Sequence, residues 1–191
     1  MALKPPKRIV STVKDLIYWF YAELIAKSAG FADNYGFVIS RFKKLKSGEM
    51  VWSSSLHDHM KEWDQGKICV YCGNDQNLSL DHIIPSCRAG CDPRVIQLLE
   101  SIDNCVWACR KCNSSKGGKD VFEWFGGERR DEIPKIVLSK FLKISYKLHE
   151  TQETLELTDP NMDGVLDIYD LGTVITDLIM RKSKGITSFN Q

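Results

Sequence analysis

The chain has 191 residues, 43% hydrophobic and 27% charged, with a formal net charge of +1. These values describe a globular chain long enough to bury a real core, and they exclude a fibrous or low-complexity protein. The charge is uneven: residues 1–67 carry 11 basic against 7 acidic side chains, and residues 131–191 carry 7 against 10.

In chain order, residues 11–30 read as a helix stopped by Gly30, with Val13, Ile17, Phe20 and Leu24 at buried-face spacing. The apolar stretch 16–26 is too short to span a membrane and contains Glu23. It also resembles a signal-peptide core, but the helical spacing is the better reading. Residues 35–54 read as a strand or short helix, a basic turn through Gly48, then a strand. Residues 55–64 read as a short helix. Residues 92–102 form another, with Pro93 in its first turn. Residues 113–127 read as a helical turn, a glycine break and a second short helix. Residues 133–148 are amphipathic, with Val137, Phe141, Ile144 and Leu148 on one face and Lys140, Lys143 and Lys147 elsewhere. No internal repeat occurs.

Seven cysteines argue against a complete disulfide framework. Cys69-x-x-Cys72 and Cys109-x-x-Cys112 form two pairs whose turns can present four thiolates to one tetrahedral zinc ion. The rival reading, a redox Cys-x-x-Cys, calls for a βαβ context that the pattern lacks. Cys105 reads as core. Cys87 and Cys91 carry no assigned role.

Between the pairs lies "LSLDHIIPSC", residues 78–87, where Asp81 and His82 are adjacent inside an apolar run. Neighbours in a strand face opposite ways, so one of them meets the core. Burying either unpaired would be costly. Asn104 precedes the second pair, and Asn113 and Lys116 follow it.

This order of elements resembles the zinc-binding HNH endonucleases over residues 68–118. The resemblance implies an α+β fold: a ββα-metal core, a hairpin packed on a helix and stapled by the cysteine knuckles, with helical additions at both ends. The expected division is an N-terminal extension (1–67), a nuclease core (68–126) and a C-terminal region (127–191). It implies a catalytic set of His82 as general base, Asp81 and Asn113 as ligands of Mg²⁺ or Mn²⁺, and Asn104 holding the loop between the strands. Lys116, Arg110 and Lys119 would contact flanking phosphates of DNA, with RNA the lesser expectation. Where the founding pattern ends in His, Asn113 stands here, which implies a modest-affinity oxygen-ligand site. The bland alternatives are a helix cap for Asn113 and solvated surface for Lys116. The rival function is a zinc-stabilised nucleic-acid-binding module without catalysis. His57, His59 and His149 have no assigned partner. The chain reads as cytoplasmic, without a membrane anchor.

A second motif lies outside the core. "DPNMDGVLDIYD", residues 159–170, fits a calcium-loop template, with Asp159, Asn161, Asp163, the Val165 carbonyl, Asp167 and Asp170 at ligand positions. It resembles one dockerin repeat, although dockerins have two. The alternative is an Asp/Asn/Gly turn leading into a capped helix.

Overall fold

The computed structural model describes residues 4–53, 66–90, 92–160 and 163–172. The helix expected at 55–64, and with it His57 and His59, lies outside the described residues. So do Cys91 and Asn161.

Helix α1 spans Val13–Ser28. Thr12 starts it, accepting a 3.2 Å bond from the Asp15 N–H, and Gly30 ends it in the left-handed region at φ +80. Val13, Ile17 and Phe20 are buried as their spacing predicts; Leu24 is half-buried. Helix α2, Tyr35–Lys46, resolves the strand-or-helix ambiguity. Asn34 caps it through the Phe37 N–H, and Val38, Phe42 and Leu45 recur at helical spacing on its buried face. Lys46 pairs with Asp15 at 2.7 Å, tying α2 to α1.

The strand expected after Gly48 does not form over 49–53. This segment is held by side chains instead. The Ser53 N–H bonds the Tyr21 hydroxyl at 3.0 Å, and Trp52 packs edge-on against Tyr21 and Tyr146.

Strands β1 (Leu78–His82) and β2 (Cys105–Cys109) pair antiparallel, with Leu78 opposite Cys109 and His82 opposite Cys105. The connection between them carries helix α3, Pro93–Leu99, capped by Asp92. Helix α4, Arg110–Lys116, leaves β2 directly and stops at Gly117, φ +55. Helix α5, Val121–Phe125, opens with a capping box between Asp120 and Glu123. Two strands and α4 thus make a ββα unit, flanked by helices from both ends of the chain.

Helix α6, Lys135–Thr151, runs through the core with Val137, Phe141, Ile144 and Leu148 buried. Its lysines depart from the amphipathic reading, because Lys140 and Lys143 are buried as well. Lys140 donates to the Cys105 carbonyl at 2.7 Å and Lys143 to the Ser53 hydroxyl at 2.9 Å. Long aliphatic stems let a lysine cross an apolar surface and still deliver its ammonium to an acceptor. Lys147 pairs with Asp103 at 2.9 Å, so this lysine face docks α6 against the start of β2. One hydrophobic cluster joins residues of α1, α2, β2, α3, α5 and α6.

Candidate active site and four-cysteine cluster

The sulfurs of Cys69, Cys72, Cys109 and Cys112 all lie within 4.8 Å of one another. Cys72 and Cys109 Sγ are 3.7 Å apart. Tetrahedral zinc with Zn–S bonds of ~2.3 Å needs sulfur–sulfur edges of ~3.8 Å, so the four thiols fit that ion. The first knuckle is closed by the Gly73 N–H on the Cys69 carbonyl at 2.8 Å, with Gly73 at φ +75. The second is the start of α4, where Cys109 is the N-cap and Cys112 lies in the first turn. The Cys112 backbone N–H holds the Cys109 thiol down to about 7, which favours the ligating thiolate. Burial pushes the Cys112 thiol up. Cys105 is buried and bonds the Ser101 carbonyl, while Cys87 is exposed.

The cluster sits at the end of the hairpin where Leu78 faces Cys109; the Asp-His pair sits at the other end, with His82 opposite Cys105. The pleat divides Asp81 from His82. Asp81 points with Ser79 toward α4 and is 3% exposed. Its Oδ2 accepts a 2.8 Å bond from the Tyr71 hydroxyl, and its Oδ1 pairs with the Lys116 ammonium at 3.2 Å. The same ammonium donates to the His82 carbonyl at 2.5 Å. The His82 side chain is half-buried and makes no hydrogen bond with a described residue.

Asn113 lies one helical turn before Lys116, on the same side of α4. Its amide nitrogen donates to the Ser79 hydroxyl at 3.0 Å and the Leu80 carbonyl at 3.3 Å. A carbonyl only accepts, so the NH₂ must face Leu80, which leaves the amide oxygen for another partner.

Asn104 is fully buried between the strands. Its amide nitrogen bonds the Ile84 and Leu99 carbonyls, both at 2.7 Å, and its oxygen accepts from the Ile84 N–H at 3.0 Å. Its own carbonyl takes the Ile83 N–H at 2.8 Å. One side chain thereby fixes the exit of β1 and the end of α3.

One residue differs from the sequence expectation and another was missed by it. Lys116, expected to reach phosphate, is 1% exposed and committed to Asp81 and the His82 carbonyl. Burial lowers its pKa below the ordinary lysine value, and the Asp81 charge opposes that shift. Arg110 and Lys119 are exposed. Tyr71 carried no expectation at all. Burial, and then the Asp81 charge, raises its phenol, which stays a donor. Trp124 packs edge-on against its ring at 4.9 Å and bonds Ser115 of α4 at 3.1 Å. The one available signal was an aromatic residue inside the "CVYC" knuckle, beside the expected metal ligands.

The calcium loop gains no support. Among the described residues the four cysteines are the only group of three or more His, Cys, Asp or Glu side chains arranged to hold a metal. The carboxylates of 159–170 accept from nearby backbone N–H groups. Asp159 accepts from the Gly164 N–H, Asp163 from Val165, Asp167 from Tyr169, and Asp170 from Asp167. These are turn-closing bonds of the Asp/Asn/Gly kind.

No described helix is long and apolar enough to cross a membrane. Compared with family models, residues 69–119 match HNH endonuclease. No curated protein and no solved structure matches the chain. The matched segment begins at the first cluster cysteine, ends just past Lys116, and contains both strands, α4 and all four cluster cysteines. Residues 69–119 are an HNH endonuclease domain built on a four-cysteine, zinc-type cluster.

Proposed function

We propose that the chain is a metal-dependent endonuclease that hydrolyses phosphodiester bonds in DNA. The observation that carries this reading is the state of His82. Its backbone is clamped by Lys116 while its ring is free of hydrogen bonds to described residues. A buried histidine is ordinarily hydrogen-bonded through its ring, as His149 is to Thr154, whereas the half-buried His82 ring is open to solvent. A fixed backbone with an unengaged imidazole suits a general base that takes a proton from water.

Asp81 and Asn113 offer one carboxylate and one amide oxygen from the other side of the hairpin. That donor set suits a hard divalent cation that keeps several waters, and Mg²⁺ or Mn²⁺ would supply Lewis-acid stabilisation of the phosphate. Asn104 holds the loop that follows His82. Arg110 and Lys119, both exposed, would contact flanking phosphates. The cluster cysteines hold structural zinc.

The competing reading is a zinc-stabilised nucleic-acid-binding module without catalysis. It gives no reason for an unengaged imidazole beside a buried carboxylate. Incubation with supercoiled plasmid in Mg²⁺, Mn²⁺ or EDTA separates the two. Cleavage with either ion that EDTA stops supports the nuclease; binding without cleavage under all three conditions supports the module.

A further inference from the structure

The Asp81 site already contains a cation, and it belongs to the protein. The Lys116 ammonium is 3.2 Å from Asp81 Oδ1, with the two side chains 1% and 3% exposed. Neither charge can be left alone at such depth, because an unpaired buried ion is strongly destabilising. The other donor to this carboxylate, Tyr71, is neutral and leaves the charge uncompensated. Lys116 is therefore the charge that balances the Asp81 carboxylate at this depth. Its burial also removes it from reach of a phosphate outside.

We propose that Lys116 is the resident counter-cation of the Asp81 site, which neutralises the carboxylate in the metal-free protein and competes with the divalent ion for it. This rests on the reading of Asp81 as a cation ligand. A carboxylate oxygen has two lone pairs, so the hydrogen bonds to Oδ1 and Oδ2 do not saturate it. Repulsion between the ammonium and a divalent charge on the same carboxylate sets the competition, and low-dielectric surroundings strengthen it. The four-carbon stem of a lysine gives its ammonium room to withdraw. The second hold, on the His82 carbonyl, lets Lys116 stay attached to the hairpin after releasing Asp81. The consequence has an unusual sign: deleting this lysine strengthens cation binding, whereas deleting a phosphate-contacting lysine leaves it unchanged.

The test is calorimetric titration of the full-length, zinc-loaded protein with Mn²⁺, without nucleic acid. The proteins are wild type, Lys116→Gln, Lys116→Met and Asp81→Asn, each checked by circular dichroism and zinc content. Both Lys116 variants are expected to bind Mn²⁺ about tenfold or more tightly than wild type, and Asp81→Asn to lose that binding. Folded Lys116 variants that bind Mn²⁺ no tighter than wild type, while Asp81→Asn still abolishes binding, overturn the counter-cation role and leave the Asp81 ligand reading intact. Wild-type binding that persists in Asp81→Asn, or no binding by any of the proteins, overturns both. Should neither Lys116 variant fold, a Mn²⁺-soaked crystal of wild type decides. The Lys116 ammonium is expected to have moved out of contact with Asp81 Oδ1; an ammonium still at that oxygen beside a bound Mn²⁺, or a site that takes up no Mn²⁺, overturns the proposal.

Discussion

The hydroxyl of Tyr71, a residue set between two cysteines of the cluster, donates a 2.8 Å hydrogen bond to Asp81 near the other end of the hairpin. The four-cysteine cluster and the carboxylate of the candidate site are therefore linked through one residue and one hydrogen bond. The Val70 N–H also bonds the Trp107 carbonyl of β2 at 2.8 Å, so the knuckle is anchored on the strand that faces β1. Order in the cluster is passed to Asp81 through one aromatic ring.

Tyr71→Phe isolates that link. The ring keeps its packing on Trp124 and Phe125, and Asp81 keeps Lys116. Loss of one buried hydrogen bond should cost about 1 kcal/mol in urea denaturation. Zinc content should stay at the wild-type value while plasmid cleavage falls. Unchanged cleavage in a folded, zinc-replete variant would show that the phenol does not position Asp81.

His82→Ala should leave the fold and zinc untouched, since its ring bonds no described residue. Removing a general base should reduce cleavage on the order of 10²–10⁴-fold. The measurement is single-turnover cleavage of plasmid beside metal analysis. A loss under about tenfold would remove His82 from the base role.

Cys109→Ser tests the staple. Cys109 ends β2, caps α4 and lies 3.7 Å from the sulfur of Cys72. Structural zinc contributes folding free energy directly, so this variant should lose both the ion and the folded core. Circular dichroism with metal analysis checks it. A zinc-free variant with wild-type helicity and melting temperature would show that the core stands without the ion.

Asn104→Ala removes a side chain that satisfies two carbonyls and one N–H in a fully buried position. Each buried group left without a partner costs about 1–3 kcal/mol. The expected loss is at least ~3 kcal/mol in urea denaturation, larger than for Tyr71→Phe. A loss below ~1 kcal/mol would mean that the loop after β1 is held by other contacts.

The cysteine cluster and helices α1, α3 and α6 were legible in the sequence, because each is written in local spacing. Cys-x-x-Cys pairs, Pro93 in the first turn of α3 and the buried face of α1 depend on residues within a few positions of one another. What stayed hidden depends on contacts between distant segments. Lys116 looks like surface in a run of Lys, Gly and Ser. Only the packing of α4 on β1 buries it against a carboxylate 35 positions earlier. Lys140 and Lys143 mislead in the same way, since α6 is covered on sides that its amphipathic pattern leaves polar. The calcium template is weak on sequence alone because Asp, Asn and Gly serve turns as readily as they serve cations, and spacing does not separate the two.

His149 gives a prediction in pH. It is fully buried, with Nδ1 2.8 Å from the Thr154 hydroxyl, and burial lowers its pKa from 6.5 to about 4. The unfolded chain therefore binds a proton below pH 6.5 that the folded protein refuses until about pH 4. Stability from this group is fully present above pH 6.5 and is lost as pH falls toward 4. The total is about 3 kcal/mol at 1.36 kcal/mol per pKa unit. Between pH 7 and pH 5 the expected share is about 2 kcal/mol. Protonation of the cluster cysteines also weakens the fold in acid, so wild type must be compared with His149→Gln at both values. Urea denaturation should show the variant less stable at pH 7 and its drop on going to pH 5 smaller by about 2 kcal/mol. Equal drops in the two proteins would mean that His149 titrates in the folded state much as it does in the unfolded chain.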